Sequence, residues 1–330
     1  MLWLHRYAKF VVAATALLIA AGGMVTSTDS GLSVPDWPTT YGWNMFTFPF
    51  SKWVGGIRYE HSHRLIASTV GFLTIILAIW TWRVEPRRWV RNLALLALGA
   101  VIVQGILGGI TVLFFLPPAV SIGHAGLAQL FFCLTVTLAA VTAPGWRYAV
   151  QPVEDPMLRR VAVATTALIY TQILIGATMR HNDAGLAIPD FPLAFGHILP
   201  PAWNAKVAIH FAHRVGAFVV TLFILGTAGH VFYHHRRRLE LARPAFLLMM
   251  LLSMQVTLGA FVVWSVMDPV INTAHVVNGA LVLATSLVLT LRSFRSGFER
   301  LVQPIHQLAT APGHHITRSP DQQIPPGVRP

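Results

Sequence analysis

The residues best equipped for chemistry lie in Glu60-His61-Ser62-His63-Arg64, at the mouth of an apolar run from Leu65 to Trp82. Four ionisable groups within five residues are costly at a membrane boundary, and groups kept there mark a functional site by default. On a helix, Glu60 and His63 are three residues apart and share a face. A related stretch, His210-Phe211-Ala212-His213-Arg214, opens another apolar run 150 residues later. The histidine and arginine recur in register, but the glutamate has become His210. Two further histidines, His124 and His275, stand 151 residues apart near the starts of apolar runs. Two imidazoles from facing helices of an apolar bundle can hold a haem iron from both sides. The pairs that would do so are His63 with His124 and His213 with His275. Zinc would want three or four converging ligands with carboxylate or thiolate help, and each half offers two repeated histidines. The single cysteine, Cys133, excludes an intrachain disulfide and a thiolate cluster, and reads as a small buried apolar residue.

The elements that must position these groups are helices in a bilayer. The chain has 330 residues, 55% hydrophobic and 11% charged, too apolar for a soluble protein of this length. Eight apolar segments of membrane-spanning length can be drawn, near 8–28, 61–82, 91–114, 121–142, 160–179, 207–232, 244–266 and 271–291. The fold expected is all-α and integral to a membrane. The net charge of +12 is a topology signal rather than a nucleic-acid signal. Eighteen of the 24 Lys and Arg residues fall at one set of segment ends, among them Arg6, Arg87, Arg160, Arg237 and Arg295. The other ends carry only Lys52, Arg58, Arg64, Arg180, Lys206 and Arg214. Positive-inside bias then places both termini in the cytoplasm. The first segment has the look of a signal peptide, with Arg6 and Lys9 ahead of an apolar core and Ala20-Ala21-Gly22 after it. We read it as an uncleaved helix, because an internal repeat needs it.

That repeat is carried by Asp29-Ser30-Gly31-Leu32-Ser33-Val34-Pro35-Asp36-Trp37-Pro38 and Asp183-Ala184-Gly185-Leu186-Ala187-Ile188-Pro189-Asp190-Phe191-Pro192, offset by 154 residues. Gln104 to Gly108 in segment three answers Gln255 to Gly259 in segment seven, offset by 151. The chain therefore reads as two tandem pseudo-symmetric four-helix bundles, residues 1–145 and 146–302, related by an axis along the membrane normal. The stretch Pro144 to Pro156 is the linker, and residues 303–330 are expected to be a disordered cytoplasmic tail. The Gly and Pro residues of the repeated loops fix compact turns, or lids, with Asp29, Asp36, Asp183 and Asp190 as turn formers. The first lid continues through Trp43, Phe46, Phe48, Phe50 and Trp53, aromatic residues suited either to the membrane interface or to lining a route for a hydrophobic ligand. Arg64 and Arg214 admit two roles, pairing with haem propionates or snorkelling at a helix end. His61, His181, His197 and His210 read as boundary or supporting residues rather than ligands.

Glu60-x-x-His63-Arg64, His213-Arg214, the duplicated lids and the pair His124/His275 together resemble the heme A synthase family, over essentially residues 1–295. The resemblance implies an eight-helix pseudo-symmetric bundle in the bacterial inner membrane, serving cytochrome c oxidase assembly by converting heme O to heme A. It further implies a haem b cofactor on His213 and His275, with the substrate haem between His63 and His124 and Glu60 beside it. The reaction implied is oxidation of the C8 methyl of heme O to a formyl group. Some relatives carry cysteine pairs in the lids of the N-terminal half; this chain has none there, which leaves the electron acceptor open. The residues are in keeping with this division of labour. A carboxylate one turn from an axial ligand can accept protons while a methyl is oxidised, and only the first half has one. A di-haem electron relay would use the same histidines but gives Glu60 no reason to differ from its repeat mate. A tandem-repeat transporter would place its ionisable groups nearer mid-depth. The protein handing over heme O is expected to be the farnesyltransferase that makes it, because a prenylated haem is too insoluble to diffuse freely.

Overall fold

A computed structural model describes residues 2–146 and 153–295. Six residues of the linker (147–152) and residues 296–330, which include the expected tail, lie outside the described residues. Eight helices long and apolar enough to cross a membrane account for most of what is described: α1 Leu2–Ser27, α2 Ile57–Val84, α3 Arg88–Leu113, α4 Pro118–Thr142, α5 Pro156–His181, α6 Ala205–His234, α7 Leu239–Trp264 and α8 Pro269–Ser293. Each of the eight expected segments is present, and each helix overruns its apolar core by a few residues. Caps explain several of the overruns. Asp155 accepts a hydrogen bond from Leu158 N–H (2.8 Å) and Pro156 occupies the first turn of α5, where a missing N–H costs nothing. Asn204 caps α6 through Val207 N–H (2.9 Å), and Asp268 caps α8 through the N–H groups of Val270 and Ile271.

Helix α7 begins five residues before the expected position and runs through Pro244. The proline frees the carbonyl of Glu240, four residues back, which in a bilayer must find another donor. Arg292 supplies it, its Nη1 lying 2.7 Å from that oxygen.

Within the first half α1 packs on α2 and α4, and α3 packs on both α2 and α4, so the four close into a ring. The second half repeats this with α5, α6, α7 and α8. Between the halves, α1 meets α8 just as α5 meets α4, and α4 meets α8. These contacts interchange when the halves are swapped, as expected of two tandem bundles. Leu4, Val11, Leu77, Phe131 and Leu138 fill the first bundle, and Ile169, Ile224, Leu248 and Leu283 the second. Ile19, Phe132, Val136, Ala280 and Ala284 fill the seam. Large apolar side chains such as Phe72, Leu96, Phe218 and Phe246 point outward, as a surface facing lipid tails requires. Threonine hydroxyls tie helices in the second half: Thr165 to Thr227 (2.7 Å) and Thr166 to Ser286 (2.7 Å). Such bonds are a recurrent interhelical contact where packing alone must hold helices together.

Candidate functional site

Both lids cover the same end of the bundle, the end where α2, α4, α6 and α8 begin. Each is folded on one aspartate. Asp36 accepts from the N–H groups of Tyr41 (2.7 Å) and Gly42 (2.9 Å), and Asp190 from those of Phe195 (2.7 Å) and Gly196 (2.8 Å). The glycines take positive φ, 74° and 78°, which the turn requires and a side chain would resist. Burial would raise the Asp36 carboxyl, but hydrogen bonds from Gly42, Thr39 and Tyr41 outweigh it and hold the group below its ordinary value. Asp190 is lowered by its bonds from Gly196 and Phe195.

An arginine clasps each lid to the helix beneath it. Arg64 donates to the carbonyls of Asp36 (2.6 Å), Thr39 (3.0 Å) and Val34 (2.8 Å). Arg214 donates to the carbonyls of Asp190 (2.6 Å), Leu193 (2.7 Å) and Ile188 (3.2 Å), which are the repeat mates of those three. The two halves diverge beside these arginines. Glu60, 3% exposed, receives Val34 N–H on one carboxylate oxygen (2.7 Å) and pairs with Arg64 on the other (2.6 Å). In the second half His210 holds that place, with Nδ1 3.3 Å from Ile188 N and 3.1 Å from Ala184 O. A buried carboxyl group with a hydrogen-bond partner on each oxygen is fixed in orientation.

Below the lids, each of the four repeated histidines lies over a glycine of an odd-numbered helix. A Cβ added at Gly22 would stand 3.0 Å from Cε1 of His63, and one at Gly108 3.2 Å from Cε1 of His124. At Gly176 and Gly259 the corresponding distances, to His213 and His275, are each 3.1 Å. A side chain at any of these four positions would press on the ring, which would have to give by a few tenths of an ångström, so the glycines let the imidazoles lie close against the neighbouring helix. All four stand near the lid ends of their helices, His63 on α2, His124 on α4, His213 on α6 and His275 on α8. Nδ1 of His63 and Nδ1 of His124 are buried without a hydrogen-bond partner among the described residues. Leaving such an atom unpaired costs about 1–3 kcal/mol.

Glutamines flank three of the four rings. Gln104 donates to His124 O (3.0 Å), and Gln172 donates to His213 O (2.8 Å) with Nε2 3.0 Å from Nδ1 of that ring. Gln255 lies 3.2 Å from His275 Nε2 and accepts from Asn278 (2.7 Å). The repeat mate of Gln172 is Leu18, so His63 has no such neighbour from that position. Gly176 and Gln172 were not singled out from the sequence, and Gly22 only as part of a stretch resembling a cleavage site. The 154-residue offset that relates the lids pairs Gly22 with Gly176 but matches Gln172 to a leucine.

The remaining candidates are dispersed. His61 is fully buried under the first lid, 3.1 Å from the Thr40 hydroxyl and boxed by Phe48 and Trp53. Those two aromatic residues of the loop therefore serve its core, while Trp43, Phe46 and Phe50 are exposed. His197 lies in the turn of the second lid, and His181 at the end of α5.

The chain matches the profile of the COX15-CtaA family, described as cytochrome oxidase assembly protein, over residues 5–287. It is 31% identical to the heme A synthase of Symbiobacterium thermophilum over 266 residues, covering 76% of this chain and 83% of that one. To the heme A synthase of Geobacillus kaustophilus it is 28% identical over 286 residues, covering 82% and 87%. Shouchella clausii heme A synthase is 30% identical over 215 residues, covering 63% and 69%. With eight membrane-length helices, a duplicated lid and a match along nearly the whole of its helical part, the chain belongs to the COX15-CtaA family of cytochrome oxidase assembly proteins.

Proposed function

We propose that this protein is a heme A synthase, a multi-pass membrane oxidoreductase that converts the C8 methyl group of heme O to the formyl group of heme A. Residues 1–145 form the half that takes heme O between His63 and His124. Residues 146–302 form the half that holds haem b between His213 and His275. The reading rests above all on four half-buried histidines, each seated on a glycine, with the acidic Glu60 in the first half and His210 in its place in the second. The donor set suits an iron porphyrin: paired imidazoles at the lid ends of apolar helices, two of them with an unpaired buried nitrogen among the described residues. Haem b, when bound, supplies reversible one-electron transfer.

The substrate carbon passes from methyl to hydroxymethyl to a gem-diol, which loses water to give the aldehyde. Counted against water as the oxygen source, the change releases four electrons and four protons. Glu60 accepts protons in this scheme, with Arg64 as its counter-ion. The His63 and His124 rings position the substrate, and the first lid keeps bulk water from it. Arg64 and Arg214 hold the lids first, and pair with haem propionates where lid bonds are exchanged. His213 and His275 would hold the group that passes these electrons on to an external acceptor. The arginine-rich helix ends face the cytoplasm of a bacterial cell, and the lids face the periplasmic side of the inner membrane. Heme O arrives from the farnesyltransferase that makes it.

The test is extraction and chromatography of haem from protein purified in detergent. Heme O or heme A beside haem b is the expected result; haem b alone would make the protein an electron relay, and a colourless protein would end the proposal.

A further inference from the structure

At the end of the bundle opposite the lids, a second group of chemically capable side chains converges. His230 and His234 lie in the last turns of α6, and His235 caps that helix. Asp155 precedes the first turn of α5. Its Oδ2 lies 2.7 Å from His230 Nε2 and 2.8 Å from His235 Nε2, and the three atoms fall within 4.8 Å of one another. The other oxygen, Oδ1, is held by Leu158 N–H, so the carboxylate is fixed rather than free to rotate. His234 stacks beside, its ring centroid 4.6 Å from that of His230. At about 1.5 Å per residue, the seventeen residues from His213 to His230 put this cluster roughly 25 Å from the nearer haem ligand. It cannot share that iron.

We propose that Asp155, His230 and His235 form a binding site for a divalent first-row metal ion of the zinc class, clamping the start of α5 to the end of α6. Two imidazoles and one carboxylate are a recognised zinc donor set that leaves a fourth position open. Ligand atoms around tetrahedral zinc stand about 3.3 Å apart, given metal–ligand bonds of about 2.0–2.1 Å. The pocket must therefore widen by about half an ångström on each Nε2–Oδ2 edge, within the freedom of side chains that are 15–19% exposed. Two Nε2–H···Oδ2 bonds are replaced by two Nε2–metal bonds, the ring protons moving to Nδ1. Imidazole donors favour zinc, copper and nickel over magnesium or calcium.

The experiment uses the full-length, haem-loaded protein, purified in detergent with a histidine-free tag. It is incubated with Zn2+, desalted and analysed for zinc and iron by plasma mass spectrometry, alongside the His230→Ala/His235→Ala double variant. The wild type is expected to retain about one zinc more than the double variant at equal haem content. The tail histidines His306, His314 and His315 are common to both proteins and cancel. Calorimetric titration of Asp155→Asn, which keeps the oxygen that caps α5, is expected to show zinc affinity reduced by at least about tenfold. Equal zinc in wild type and double variant overturns the proposal and leaves the cluster a hydrogen-bonded clasp. Should the double variant lose its haem, the Asp155→Asn titration decides, and unchanged affinity there overturns it equally.

Discussion

Glu60 carries two duties that a single substitution can separate. Its carboxylate latches the first lid through Val34 N–H and balances Arg64, and the proposed chemistry asks it to accept protons as well. Glu60→Gln keeps an oxygen for Val34 N–H but removes the charge. If the charge matters to the reaction, heme A formation falls by about 10²–10⁴-fold while bound haem and lid protection against protease stay as in the wild type. A variant that makes heme A at the normal rate would reduce Glu60 to a latch. Glu60→Ala removes both functions and should also expose the lid. The glycines make a sharper case at the same scale. Gly176→Ala sets a methyl 3.1 Å from Cε1 of His213, and the ring must yield. Overpacking of this kind costs about 1–3 kcal/mol. The expected outcome is a lower haem b content and a shifted reduction potential, read by spectroelectrochemistry, with heme O binding in the other half unaffected. The histidines were legible in the sequence because ionisable groups at helix starts are rare. Their glycines were not, because glycine is common in membrane helices and says nothing alone about which ring it faces.

The lids show how a repeated element keeps its geometry while its residues drift. Trp37 of the first lid lies on Gly109, where an added Cβ would meet the indole at 2.7 Å. The repeat mates are Phe191 and Ala260, a smaller ring with one methyl more on the facing helix. Gly109→Ala should therefore loosen the first lid by about 1–3 kcal/mol, seen as faster amide exchange across residues 30–43. The lids also carry a pH dependence. Asp36 and Asp190 sit below their ordinary values in the folded protein, so their contribution is complete above pH about 4. It is lost as pH falls through the folded values. Amide exchange at Gly42 and Gly196 should accelerate below pH about 4 relative to exchange in the helices. Asp36→Asn should flatten that response at Gly42 while leaving Gly196 unchanged. Repeated Gly, Pro and Asp made the turns readable from sequence. The clasp by Arg64 was not, since a helix-end arginine reads equally well as a snorkelling side chain.

At the scale of the whole molecule, duplication gives two similar lidded bundles, and the proposed chemistry needs them to be different. Four electrons must leave the substrate carbon, and the proposed function has one half react and the other relay. The differences are local: Glu60 against His210, three residues before His63 and His213, and Leu18 against Gln172, which bonds to His213. The halves meet through the apolar seam of α1, α4 and α8 and through a few polar ties, among them Arg180 to Asp29 (2.6 Å) and Asn272 to Ser27 (3.0 Å). None of those ties joins the two ligand pairs directly. Haem loading of the two halves should then be nearly independent. Substitutions far apart without shared partners add to within about 0.5 kcal/mol. His213→Ala should remove the low-spin haem b spectrum yet leave heme O bound, and His63→Ala should do the reverse. The double variant should lose both in proportion to the singles. Turnover behaves differently, because each half is useless without the other: either single variant should abolish heme A formation, and the double should be no worse. Haem contents that depend strongly on each other would mean that the bundle folds around its cofactors as one unit, and the division of labour between residues 1–145 and 146–302 would have to be abandoned.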